Sequence, residues 1–341
     1  MKPRLDIGLQ GVALEGAGGR ARQLEEIGFD GCFTFEGPSD PFFPLVAAAE
    51  ATELDVYTNV AVAFPRSPMH LAYAAVDLHR LSCGKFILGL GTQIRPHIEK
   101  RFSAEWGKPV AHMRELIEAT KAIFACWFED AELSHHGEYY THTLMTPMFV
   151  PPGLADIPGG APPIWAGALG PNMTRMVAET ADGILIHPFN TERFLNEVTL
   201  PIVREGLATS GRSAESFSFG VDAMVGVYRT EEEREQAING CRGLLGFYGS
   251  TPAYKITLDH HGWGALQPEL RRLTKEGRWG ELSSAIDDEV LHTIAIIGTP
   301  GEVAATLQNR YGTTATRIGL QLPYAASDGL LGALVHAWNA Q

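Results

Sequence analysis

What most constrains this chain is an alternation, repeated eight times, of a short apolar run and a longer amphipathic one. The runs Leu5–Gln10, Gly31–Phe35, Val56–Phe64, Phe86–Leu90, Pro163–Gly167, Gly183–His187, Phe217–Tyr228 and Arg317–Leu322 read as buried strands, and Val56–Phe64 is dense in β-branched residues. The stretches between them, among them Arg20–Ile27, Pro44–Ala51, Val110–Phe128, Asn172–Thr180, Thr191–Ser210 and Gly329–Trp338, have helical spacing. Ser67-Pro68 opens a helix through Leu81 with an N-cap and a first-turn proline, and Thr230–Glu233 and Thr299–Glu302 read as capping boxes. Eight βα units without a linker predict one α/β domain over 1–341, a (β/α)8 TIM barrel. Two inserts decorate it, at about 129–160 after the fourth helix and at about 249–297 before the last unit, each too long to be a plain connection. The second insert carries helical pieces at Pro268–Lys275 and Trp279–Val290.

Hydrophobic residues make up 45% of the chain, enough for a large core, which excludes global disorder. A net charge of −13 argues against a general nucleic-acid or anionic-membrane binder, and no apolar run reaches the length of a membrane span. Cys32, Cys83, Cys126 and Cys241 are far apart with no Cys-x-x-Cys pair, which fits reduced thiols in a cytoplasm. The expected partner is a small-molecule substrate, with no nucleic acid and no membrane.

In such a barrel, chemistry belongs where strands empty into the C-terminal loops. Those positions include Gln10, Glu36-Gly37, Ala61–Phe64, Gly89–Gln93, Gly167–Gly170 and His187-Pro188. Glu36 and Asp40 suit acid/base work or hydrogen bonding to a ring, with helix capping as the rival role. Gly89-Leu90-Gly91 lacks the third glycine and the following helix of a dinucleotide fingerprint, so its glycines are expected to admit a flat ring. Gly167–Asn172 ends a strand and begins a helix, as an anion site or as a tight turn. Arg95, His97, Lys100, Arg101 and Lys108 crowd one loop of an acidic chain, either for an anionic ligand or as a solvated loop. Neither His135-His136 nor His260-His261 has metal-ligand spacing, and no metal site is expected.

Gly28-Phe29-Asp30, Asn59–Phe64, Ser67-Pro68, the run LSCGKFILGLG at Leu81–Gly91 and Ala181-Asp182-Gly183 together resemble the luciferase-like monooxygenase superfamily over nearly the whole chain. Within these flavin and deazaflavin barrels, Asp40-Pro41-Phe42, Val62–Pro68 and Leu144–Pro147 are most similar to the coenzyme F420-dependent oxidoreductases. The resemblance implies a non-prolyl cis peptide at the end of the third strand, matched here to Ala61–Val62. It implies a phosphate turn at Gly167, Ala168, Leu169, Gly170, Pro171 and Asn172, ring contacts from Thr92 and Gln93, and a cofactor contact from His97. It places Glu36 at an acidic position, with Glu36 and Gln93 as the candidate catalytic residues. One branch follows that acidic residue with a histidine base; here Gly37 stands there, which argues against sugar phosphates as substrates.

The implied activity is hydride transfer between F420 and a small apolar substrate, with Trp127, Tyr139, Tyr140, Phe149, Tyr248 and Tyr254 of the fourth helix and the two inserts expected to line its pocket. An FMN-dependent monooxygenase and a non-catalytic flavin- or metabolite-binding barrel are the alternatives. Family members are commonly dimers, so a homodimer is expected.

Overall fold

The computed structural model describes residues 2–9 and 13–341; Gln10 lies outside them. Eight parallel strands close into a barrel: β1 (Arg4–Gly8), β2 (Gly31–Thr34), β3 (Asp55–Thr58), β4 (Phe86–Gly91), β5 (Ile164–Gly167), β6 (Gly183–Ile186), β7 (Ser218–Val227) and β8 (Arg317–Gln321). Each pairs with the next, and β8 returns to β1 with Leu5 opposite Ile318. The surrounding helices are α1 (Leu14–Ile27), α2 (Phe43–Ala51), α3 (Pro68–Leu81), α4 (Pro109–Phe128), α5 (Pro171–Thr180), α6 (Leu200–Thr209), α7 (Glu231–Gly249), α8 (Pro300–Tyr311) and α9 (Asp328–Asn339). Their starts follow the capping chemistry: Ser67 Oγ accepts the His70 N–H, and Thr230 Oγ1 accepts the Glu233 N–H.

Outward-facing residues such as Val56, Leu88, Ala166, Val221 and Ile318 are buried beneath the helices. Inside, Phe33, Tyr57, Ile87, Trp165 and Leu185 fill the barrel. Gly183 and Gly220 make room for this layer, because a Cβ on either would run into the Trp165 indole. Below it lies a charged plug. Arg317, the first residue of β8, donates to Asp6 Oδ2 from Nε at 2.6 Å and to Asp6 Oδ1 from Nη2 at 2.7 Å, and also bonds Asp55. Tyr57 Oη donates to Asp6 at 3.0 Å, and Asp6 has 0% exposure. Gly31 leaves the space the guanidinium occupies.

Three local expectations are corrected. Thr191–Ser210 is not one regular helix: a π-turn at Leu195–Thr199 precedes α6, where Pro201 has no N–H to donate back. Trp279–Val290 divides into 3-10 turns at Trp279–Glu281 and Ser283–Ala285 and a helix at Asp288–Ile294, restarted by Asp287 Oδ1 accepting the Val290 N–H at 2.8 Å. Ile296–Gly298, read as insert and first residue beyond it, forms a short strand parallel to Val225–Val227 at the end of β7. The second insert has a core of its own with Cys241 and Leu245 of α7, and Phe189 and Met224 from the barrel belong to it.

Removing the guanidinium would leave the buried Asp6 with no cation and Asp55 with only Arg4 at the edge. Arg317→Met should therefore lower unfolding free energy by about 3–5 kcal/mol, read from chemical denaturation. An unchanged midpoint would show that the plug contributes nothing net.

Candidate functional site

The C-terminal rim is shaped first by a bulge. Val56–Phe64 is not one continuous strand: β3 stops at Thr58, and Ala61–Val62 resumes pairing with β4. Tyr57 lies opposite Ile87 and Ala61 opposite Leu90, so four steps on one side meet three on the other. Thr58 Oγ1 bridges the gap, donating to the Gly89 carbonyl at 2.7 Å and accepting the Gly89 N–H at 2.9 Å. The cis peptide falls at Asn59–Val60 within this bulge, which corrects the expectation of Ala61–Val62; those two residues are back in the β ladder. Gly89 and Gly91 also differ from expectation. A Cβ on them would run into the Thr58 carbonyl and the Val60 side chain, so these glycines seat the bulge.

Glu36 clamps the same segment. Its N–H donates to the Val60 carbonyl at 3.1 Å, and its Oε2 accepts the Val62 N–H at 2.7 Å. Arg66 Nη1 donates to the same Oε2 at 2.6 Å and to the Val62 carbonyl at 2.9 Å, while Nη2 reaches Asp40 at 3.0 Å. The carboxylate is 7% exposed. Asp40 Oδ1 accepts the Phe42 N–H, just before α2.

Beyond β4, Gln93 has φ 58° and its Oε1 accepts the Ile94 N–H at 3.1 Å, while Thr92 Oγ1 donates to the Gln93 carbonyl. His97 is exposed on the short helix Arg95–Lys100. Much of the basic cluster is already engaged: Arg95 pairs with Glu99, Lys108 with Glu138, and Arg101 bonds the Gly37 carbonyl. Across the rim, Gly167 lies against the bulge, its Cβ position 3.7 Å from Val60 Cγ1. Ala168 and Leu169 lead to Gly170, the N-cap of α5, which has no side-chain cap. Pro171 has no N–H, so Asn172 and Met173 supply the donors at this end. A Cβ on Gly170 would meet open space.

The expected aromatic lining separates into two groups. Tyr139 stacks on His112 at 4.0 Å, Tyr140 Oη bonds His112, Trp127 packs on Tyr73, and Phe149 is largely exposed. These hold the first insert on α4. Tyr248 and Tyr254 instead meet at the end of β6, each 4.5 Å from the His187 ring. His187 Nδ1 accepts the Phe189 N–H at 3.0 Å, which leaves Nε2 to donate to Tyr254 Oη at 3.0 Å. Burial under these rings lowers the imidazole pKa to about 3. Sequence reasoning placed His187 at a strand end without giving it a role.

A second residue it missed is Asp222 on β7, buried inside the mouth and held by the Asn59 and Gln321 side-chain amides. Burial raises its pKa to about 7 against those hydrogen bonds, and Asp6 adds to the rise. No group of three or more His, Cys, Asp or Glu among the described residues is arranged to hold a metal ion. No helix among them is long and apolar enough to cross a membrane.

Residues 3–317 match the family model described as luciferase-like monooxygenase. The chain is 45% identical over 311 residues to an uncharacterised protein of Mycobacterium tuberculosis, covering 91% of this chain and 90% of that one. It is 29% identical to a 5,10-methylenetetrahydromethanopterin reductase of Archaeoglobus fulgidus, over 70% of this chain and 67% of the relative. Its fold matches the coenzyme F420-dependent tetrahydromethanopterin reductase of Methanopyrus kandleri with a TM-score of 0.79, covering 98% and 97% of the two chains at 18% identity.

The buried imidazole makes a signed prediction. Unfolded, His187 takes a proton below about pH 6.5; folded, it stays neutral to about 3. Stability should therefore fall as pH drops through that window. From pH 7 to pH 5 the wild type should lose about 1–2 kcal/mol relative to His187→Gln, measured by denaturation at each pH. Parallel profiles would show that the histidine is charged or solvated in the fold.

Proposed function

Because the chain belongs to the luciferase-like monooxygenase family, we propose that it is an oxidoreductase that binds coenzyme F420 at this rim and exchanges a hydride with a small, apolar organic substrate. A relative named as a putative coenzyme F420-dependent oxidoreductase and a structural neighbour named as a coenzyme F420-dependent reductase support the cofactor choice. The observation that carries the reading is the juxtaposition of the clamped bulge with the uncapped N-terminus of α5. One offers a rigid wall to a flat ring; the other offers N–H donors and a helix dipole to a phosphate. Open space at Gly170 fits such a group, since nothing in the protein fills the approach.

When bound, a deazaflavin supplies a hydride donor or acceptor at one ring carbon. The protein's own residues would bind, orient and exclude water. Val60 would back the ring, with the fully buried Ala61 and Val62 supporting it from behind, and Gly167 to Asn172 would hold the phosphate. Thr92, Gln93 and His97 would border the ring from the β4 side, with the Gln93 Nε2 as a donor. Glu36 takes a positioning role in this reading, because its carboxylate is committed to Val62 and Arg66. Tyr248, Tyr254 and His187 would form the substrate wall.

Three measurements test this. Titration should show F420 binding, with FMN weak or absent; FMN retained through gel filtration together with oxygen uptake would favour the monooxygenase alternative. Gly170→Val should weaken F420 binding at least about fivefold, the loss of one or more anion contacts, with only a small drop in melting temperature from the poorer N-cap. An unchanged Kd would reduce this segment to a turn. Glu36→Gln should lower the melting temperature while single-turnover hydride transfer changes less than about threefold. A loss of tenfold or more, the scale of acid/base catalysis, at unchanged melting temperature would restore Glu36 to the reacting atoms.

A further inference from the structure

Asp222 is the buried carboxyl at the mouth that the proposed function leaves without a task. It points into the barrel from β7, and Gly319 on the neighbouring strand keeps its place open, since a Cβ there would run into Asp222 Oδ1. Asn59 Nδ2 donates to both carboxylate oxygens at 2.9 Å, and Gln321 Nε2 lies 3.4 Å from Oδ2. Its hydrogen-bond partners are thus amides, while the cation of this interior, Arg317 on β8, is committed to Asp6 on β1 and Asp55 on β3. The other titratable groups acting on or near it are Asp6 on β1, which adds to the rise of its pKa, and Tyr57 on β3 and Tyr248 on α7, whose phenols burial pushes up first and the Asp222 charge further.

Asn59 is half-buried and begins the bulge proposed to back the ring. A primary amide presents two donors at nitrogen and an acceptor at oxygen, so whichever end faces Asp222 decides what the other end offers. An ionised carboxyl is acceptor-only and holds the NH2 group. A protonated one also donates, and the amide can turn its oxygen toward it.

We propose that Asp222 is a positioning residue whose protonation decides which end of the Asn59 amide faces the cofactor, so that the floor of the site presents an acceptor when Asp222 is ionised and a donor when it is protonated. The proton comes from solvent and returns to it, and no bond to the ligand forms. Burial of the carboxyl places this exchange near neutral pH. The coupling of Asp222 to Asn59 stands on the hydrogen bonds; its consequence for F420 rests on the function proposed above.

The test separates those two parts. In the cofactor-free full chain, the Asn59 side-chain NH2 resonance is assigned by its loss in Asn59→Ala and followed between about pH 5.5 and 8.5. It should move with one midpoint in the wild type and stay fixed in Asp222→Asn, which keeps the shape and removes the titration. A resonance that stays fixed in the wild type, or that titrates equally in Asp222→Asn, overturns the proposal. Over the same range the Kd for F420 should change about fivefold, the scale of one hydrogen bond gained or lost, and less than twofold in Asp222→Asn. A titrating amide with a pH-independent Kd overturns the link to the cofactor. Failure of F420 to bind at any pH overturns the function reading, while the resonance still decides the coupling.

Discussion

One guanidinium holds the closed end of this barrel together. Arg317 joins β8 to β1 through Asp6 and to β3 through Asp55, bridging strands that are not all neighbours in the sheet. Such a buried ion pair is not favourable by default, because desolvating three charges costs several kcal/mol each. Here the carboxylates take further partners: Tyr57 Oη donates to Asp6, and Arg4 at the edge also reaches Asp55. With the lower end closed by polar groups and the middle filled by Phe33, Tyr57, Ile87, Trp165 and Leu185, the C-terminal mouth is left for a ligand. Asp6 and Asp222 therefore stand in contrast within one interior, one neutralised by a cation and the other held by amides.

The mouth inherits its shape from a single extra residue in β3. An inserted residue must expel its backbone from the ladder, and that backbone needs both space and partners. Gly89 and Gly91 provide the space, the Thr58 hydroxyl replaces a missing ladder contact, and Glu36 engages the backbone at Val60 and Val62. Four residues from two strands and a loop thus converge on one segment. Arg66 then couples this clamp to Asp40 and the start of α2.

The barrel was legible in the sequence because its determinants are local: apolar runs of strand length, capping boxes and proline at first helical turns. The same local signals located the uncapped turn before α5. What was not legible depends on register or on distant pairing. Asn59 is the residue of Val56–Phe64 that suits a strand least, but a lone Asn does not say which peptide leaves the ladder; the register against β4 decides it. Asp222 and Asn59 are 163 residues apart, and no periodicity couples them. His187 was visible as a strand-end residue, but its partners Tyr248 and Tyr254 arrive from two other elements, α7 and the turn Pro252–Tyr254. The basic cluster at 95–108 left two roles open in the sequence, and the pairing of Lys108 with Glu138, 30 residues on, which favours a solvated loop, exists only once the chain is folded.

The second insert bears differently on the site than a flap over the barrel would. Its apolar core includes Phe189, which follows β6, and Met224 on β7, so the insert and the barrel share packed side chains. Opening it would expose Leu258, Leu270, Leu273 and Leu291, each worth about 1.5–3 kcal/mol when buried. Tyr254 is further tied to His187, whose other ring nitrogen is held by the Phe189 backbone. A side chain fixed by packing and by two hydrogen bonds in series loses little further freedom when a substrate meets it, which lowers the cost of binding. The tyrosine pair is thus preorganised by the same core that anchors the insert, and in the function proposed above selectivity at it would come from shape already present before a ligand arrives.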